Sequence, residues 1–92
     1  HKDGLNLVMN LNVKLSDAIL GMEYPIMTLD GEIKVKIPEN ISFGEILRVK
    51  GKGVPIDRGR RGDLLIKIRI ELPHKLSREA KKLVEELRKE GV

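Results

Sequence analysis

The 92-residue sequence has no cysteine and no tryptophan, and its aromatic residues are one tyrosine and one phenylalanine. Without cysteine, a disulfide or a thiolate metal site is excluded, and the absence fits a reducing compartment. With only Tyr24 and Phe43 to stack on bases, the chain is poorly equipped as a single-strand nucleic-acid binder. No apolar run approaches the ~18 residues that a membrane helix needs. The opening His1-Lys2-Asp3-Gly4 carries no signal-peptide pattern, and a start without methionine reads as a piece of a longer protein.

Charge is what the chain has in quantity. Charged residues make up 35% of it, with a net charge of +4. That balance leans toward a thermophilic source, and the modest positive excess permits an acidic partner. The length suits one small domain, with a thin margin of buried surface.

Hydrophobic periodicity gives the order of elements. Leu5, Leu7, Met9, Leu11, Val13 and Leu15 alternate with polar residues, predicting a long strand with one buried face. Ser16 to Gly21 interrupts the alternation. Ser16 is placed to cap a short helical turn, and Gly21 to end it. Residues 22–28 read as a weaker strand, with Pro25 marking an edge or a bulge. Asp30-Gly31 signals a hairpin into a strand over 32–37, and Pro38 stops that strand. A loop over 39–44, a strand over 45–50, a mobile glycine-rich basic segment over 56–62 and a strand over 63–72 follow. After Pro73 the period changes to helical: Leu76, Ala80, Leu83, Val84 and Leu87 predict an amphipathic helix over 77–90. Ser77 is its N-cap, Gly91 its C′ residue, and Glu85–Lys89 an i,i+4 pair. The expected fold is mostly β: a small β-sandwich of short sheets with a short helical turn and one C-terminal amphipathic helix.

No catalytic constellation emerges. Gly51-Lys52-Gly53 lacks the spacing of a phosphate-binding loop and leads into a strand pattern, so its glycines read as a chain corner. His1 and His74 have no partners at metal-ligand spacing. Ser16 and Ser42 have no histidine nearby in sequence, Ser77 reads as a helix cap, and Asp57 and Asp63 read as turn and strand-entry residues. The chain is expected not to be an enzyme.

Several segments match one family in order and spacing: Asp3-Gly4-Leu5-Asn6-Leu7, Leu15-Ser16-Asp17-Ala18-Ile19-Leu20-Gly21, Thr28-Leu29-Asp30-Gly31, Val35-Lys36-Ile37-Pro38, Gly51-Lys52-Gly53-Val54-Pro55 and Gly62-Asp63-Leu64-Leu65. Together they resemble the carboxy-terminal substrate-binding region of DnaJ-type (J-domain) co-chaperones, in particular its second β-domain. The sequence departs from the family at Met27, where a proline usually precedes the hairpin, and at Asn40-Ile41-Ser42, where Gly-Thr-Gln is common. The resemblance implies a cytoplasmic, non-catalytic module that holds unfolded polypeptide for a DnaK-type chaperone and is homodimeric through its extreme carboxy terminus. The J-domain and the zinc module of the family have no counterpart in these residues, so no cofactor or metal is expected in this stretch. No membrane partner is expected.

Three sets of residues are candidates for function. Met22, Tyr24, Ile26, Met27 and Phe43 are candidates for holding client polypeptide at a strand edge, with ordinary core as the competing reading. Lys34, Lys36, Arg48, Lys50, Lys67 and Arg69 lie on the polar faces of their strands. If those strands share a sheet, they make a basic surface for an acidic partner, against a merely solvated face. Leu76, Ala80, Leu83, Val84 and Leu87 either pack on the chain's own sheet or pair with the same helix of a second copy. Residues 1–76 are thus expected to form the client-binding or spacer sandwich, and 77–92 the dimerisation element. The alternatives are a nucleic-acid-binding β-domain, motivated by Arg58-Gly59-Arg60-Arg61, and a purely structural spacer or dimerisation arm.

Overall fold

The computed structural model describes residues 2–3, 5–28, 30–57 and 60–92, and for residues 2, 3, 56, 57 and 60 the backbone alone. His1, Gly4, Leu29, Arg58 and Gly59, on which some of the expectations above rest, lie outside the described residues. The elements are β1 (Lys2–Asp3), β2 (Asn6–Lys14), α1 (Leu15–Leu20), β3 (Met22–Thr28), β4 (Gly31–Ile37), β5 (Ile46–Val49), β6 (Pro55–Asp57), β7 (Arg60–Arg61), β8 (Leu64–Glu71) and α2 (Arg78–Lys89). The predicted small β-sandwich with a terminal helix is what forms.

One layer is a four-stranded sheet in the order β1-β2-β8-β5. Its centre is the parallel pairing of β2 with β8, from Leu7 opposite Leu64 to Lys14 opposite Glu71. A parallel pair requires a long crossover, and here the crossover contains every element from α1 to β7. Period-two alternation puts Leu7, Met9, Leu11 and Val13 on the same face as Leu64, Ile66, Ile68 and Ile70. The second layer is the β3–β4 hairpin, whose Tyr24–Val35 and Ile26–Ile33 pairs turn toward that face. Val13, Ile37, Ile66 and Ile68 are the largest fully buried side chains, and Ala18, Ile26, Val35, Ile41 and Leu64 complete the core. No polar or charged side chain is buried among the described residues.

Several local expectations are corrected. Leu5, Leu15 and Leu72 are exposed, because each lies one position beyond the end of its strand. Ser16 caps nothing: α1 starts at Leu15 directly from β2, and the capping position is Lys14, without a side-chain bond. The hairpin register pairs Thr28 with Gly31, so Gly31 is already in β4. Asp30-Gly31 is therefore one residue out of register with the connection. Within the glycine-rich basic segment, β6 and β7 pair antiparallel. Lys89 pairs with Glu86 at 3.3 Å instead of with Glu85.

The ends of α2 follow the sequence closely. Ser77 Oγ accepts the Ala80 N–H at 3.0 Å. At the other end Gly91 has φ +88°, and the Gly91 and Val92 N–H groups donate to the Arg88 and Leu87 carbonyls. That is a Schellman closure, which favours glycine because a Cβ strains this backbone. No residue of α2 is buried.

Candidate functional site

The strand predicted as an edge is one. β3 pairs only with β4 among the described residues, so its other side carries no strand, and Pro25 sits there without needing a ladder donor. The five apolar candidates do not form a single patch. Ile26 is core, at 4% exposure. Tyr24 is half-buried, and its hydroxyl donates to Asp17 Oδ2 at 2.6 Å while accepting the Lys14 N–H at 3.3 Å. Burial, then the bond to Asp17, raises the pKa of this phenol. Tyr24 thus ties β3 to the junction of β2 and α1. Met22 and Met27 are exposed at opposite ends of the strand and on opposite faces of the hairpin, Met27 at 76% exposure. Phe43, 70% exposed, stands in the loop between β4 and β5.

The basic candidates divide between the two layers. Lys34 and Lys36 belong to β4 of the hairpin, whereas Arg48, Lys50, Lys67 and Arg69 belong to the four-stranded sheet or its border. The condition that they share one sheet is not met. Four of them nevertheless meet at a cleft of about 400 Å³ between β4 and β5, lined by residues 33–36 and 47–50. Lys67 and Arg69 lie on β8, outside that lining.

Below the hairpin tip is a tightly bonded joint. Thr28 Oγ1 donates to the Gly31 carbonyl at 2.8 Å and accepts the Asp30 N–H at 3.2 Å. Asp30 accepts a bond from Arg61 and lies 3.6 Å from Lys52 Nζ. Arg61 also donates to the Gly53 carbonyl at 2.8 Å. The bond from Arg61, foremost, holds the Asp30 carboxyl below its ordinary pKa. Asp63 gathers the neighbouring segments: its carboxylate accepts Gly51 N–H at 3.0 Å and Arg48 Nη1 at 2.7 Å, and its own N–H donates to Asn6 Oδ1 at 2.8 Å. The Gly51 N–H, then Arg48, lowers its pKa. Between these groups the backbones of Gly53 and Gly62 touch others so closely that no side chain fits. A Cβ on Gly62 would lie 1.8 Å from the Leu5 carbonyl oxygen, and one on Gly53 would lie 2.4 Å from that of Asp63.

A family model described as the DnaJ C terminal domain matches residues 1–73. This chain belongs to the DnaJ C-terminal domain family. It is also 45% identical over 84 residues to a protein named Chaperone protein DnaJ from Mesoplasma florum, an alignment covering 89% of this chain and 22% of that protein. The chain thus spans about a fifth of the length of the curated relative it matches.

The family motifs have an architectural reason in this structure. Thr28, Asp30, Lys52, Gly53, Gly62 and Asp63, from three separate motifs, all belong to the joint that fastens the hairpin tip to the glycine-rich corner and the start of β8. From sequence, these residues read as turn, chain-corner and strand-end positions. The pairing of Asp30 with Arg61, 31 positions apart, has no local signal. Among the described residues no group of histidine and acidic side chains is placed to hold a metal, and no helix is long and apolar enough to cross a membrane.

The terminal stripe is on the surface. Leu76, Leu83, Val84 and Leu87 are exposed, Leu83 at 66%, and Ala80 is half-exposed. Of the two expected placements, packing on the chain's own sheet is not the one adopted.

Proposed function

We propose that this chain is a non-catalytic, polypeptide-holding module of a cytoplasmic DnaJ-type co-chaperone, which keeps unfolded segments extended for delivery to a DnaK-type partner. The observation that carries this reading is the open edge of β3 with exposed methionine at each end. A strand edge offers unpaired backbone groups to any sequence, because the bonds are made to main chain. Methionine adapts to varied apolar side chains at little cost. The same edge suits a holding role better than catalysis, which needs converging titratable groups.

The test is to titrate the isotopically labelled chain with a permanently unfolded polypeptide and follow its amide resonances. Shifts over residues 22–28 and their β4 neighbours are expected. A spectrum that does not change would reduce the domain to a spacer.

The exposed stripe on α2 favours a second element of the same reading, a homodimer paired through that helix. Leaving Leu76, Leu83, Val84 and Leu87 in water forgoes ~25 cal/mol for each Å² of apolar surface that pairing would cover. A two-fold pair covers the same stripe on both copies and raises the effective concentration of two holding edges toward one client. Sedimentation should show a dimer that Leu83→Asp dissociates, and a parent chain already monomeric at high concentration would end the idea. The nucleic-acid alternative is weakened at Arg61, whose guanidinium is engaged by Asp30 and the Gly53 carbonyl.

A further inference from the structure

The cleft between β4 and β5 is a place where the two layers leave their strands unpaired. β4 ends the two-stranded sheet and β5 ends the four-stranded one, so backbone edges border the cleft on both sides. Ile33, Val35, Leu47 and Val49 supply apolar lining. Lys34, Lys36, Arg48 and Lys50 supply the rest, and no lining residue is acidic. Arg48 is held by Asp63 at 2.7 Å, but Lys34, Lys36 and Lys50 form no ion pair among the described residues, although Glu23 is the cross-strand neighbour of Lys36.

We infer that this cleft takes an extended acidic polypeptide segment, one in which carboxylates alternate with apolar residues. Three observations converge on that occupant. Unpaired strand edges are satisfied by another extended backbone, and a small ion would leave them open. A strand sends successive side chains to opposite faces, so one period-two sequence presents apolar groups to the lining and carboxylates to the lysines. Unpaired ammonium groups beside low-dielectric walls attract such a segment more strongly than scattered surface lysines do. The inference goes beyond the client-holding proposal, which concerns residues 22–28 and apolar sequences, and does not depend on it.

The experiment uses the 92-residue chain and an eight-residue peptide of alternating glutamate and valine, capped at both ends so that only side chains carry charge. A glutamine–valine peptide of the same length and a thymidine octanucleotide serve as comparisons. Amide shifts centred on residues 33–36 and 47–50 are expected with the glutamate peptide. Affinity should fall at least about tenfold on raising salt from about 50 to about 500 mM, and by about tenfold in the Lys34→Gln/Lys36→Gln double variant. Both lysines are exposed, so the variant should keep the parent spectrum elsewhere. Lys67→Gln, outside the cleft, should leave affinity unchanged. The inference is overturned if the glutamine peptide binds equally well, if Lys67→Gln weakens binding as much as the double variant, or if the shifts fall elsewhere. It is likewise overturned if no binding occurs, or if the octanucleotide binds the same residues more tightly. Shifts at 22–28 with unfolded polypeptide but none at the cleft with the acidic peptide would sink this inference and leave the holding proposal standing.

Discussion

The sandwich and the terminal helix carry the same kind of signal and meet opposite fates. In β2 and β8 the apolar residues recur every second position, and the central ones are fully enclosed: Val13, Ile66 and Ile68 have no exposure at all. In α2 they recur at helical spacing, and not one residue is buried. An apolar period therefore says which face of an element avoids water, but not what will cover it. For β2 and β8 the cover is the hairpin of the same chain. For α2 nothing among the described residues covers the stripe, and the molecule is elongated, 55 × 22 × 18 Å. The helix forms nonetheless, with its ends closed by Ser77 and Gly91.

The sharpest way to break the comparison is to truncate one apolar residue in each region. Ile66→Ala should cost ~2–5 kcal/mol through lost burial and the cavity left behind. A domain of this length has only about 5–14 kcal/mol in total, so chemical denaturation should show a large drop in midpoint. Leu83→Ala should change the stability of the monomer by less than ~0.5 kcal/mol, since the site is exposed and alanine favours helix. A loss in Leu83→Ala that grows with protein concentration would show the stripe to be covered by another copy.

The second effect is pH-dependent and belongs to the sandwich alone. Asp30 and Asp63 both have folded pKa values held below the ordinary 3.8. A depressed carboxylate contributes stability above its unfolded pKa, and the contribution disappears as pH falls through the folded value. Thermal denaturation followed by near-ultraviolet or amide signals should therefore lose midpoint below about pH 4. Asp63→Asn should flatten that slope. Residual helicity from α2 should respond less, since its capping acceptor at Ser77 is a hydroxyl, which does not titrate there. An equal acid response in both regions would argue that the joint around Asp30 and Asp63 adds nothing specific.

The smallest effect is at the helix cap. Ser77→Ala removes the acceptor for the Ala80 N–H and should cost about 1 kcal/mol of helix stability. With no packing to hold α2 in place, this should appear as reduced helical circular dichroism with the midpoint of the sandwich unchanged. A shift of the sandwich midpoint would mean that the two regions are coupled.

How much was legible in advance depended on the range of the interaction. The strands over 22–28 and 32–37, the buried faces of the two long strands and both ends of α2 could be read because each depends on residues within a few positions. The errors at Leu5, Leu15 and Leu72 came from extending a period past the point where pairing stops, which is set by the neighbouring strand. The basic residues were read as one possible face. The fold separates Lys67 and Arg69 from the other four and brings Lys34 and Lys36 to Arg48 and Lys50 across a gap between sheets. The apolar candidates fared similarly: period and composition do not distinguish Ile26, enclosed in the core, from Met27, its exposed neighbour.

By itself, the amino-acid order determined the succession of strands, turns and helix, the faces that avoid water and the caps on α2, because rotamer, capping and periodicity preferences act over one or two turns of chain. Tertiary structure alone decided that β2 and β8 lie parallel, that Gly53 and Gly62 admit no side chain, that Asp30 meets Arg61, and that a basic cleft opens between β4 and β5. Each of these joins segments remote in sequence, and such contacts arise only once a shared core has brought the layers together.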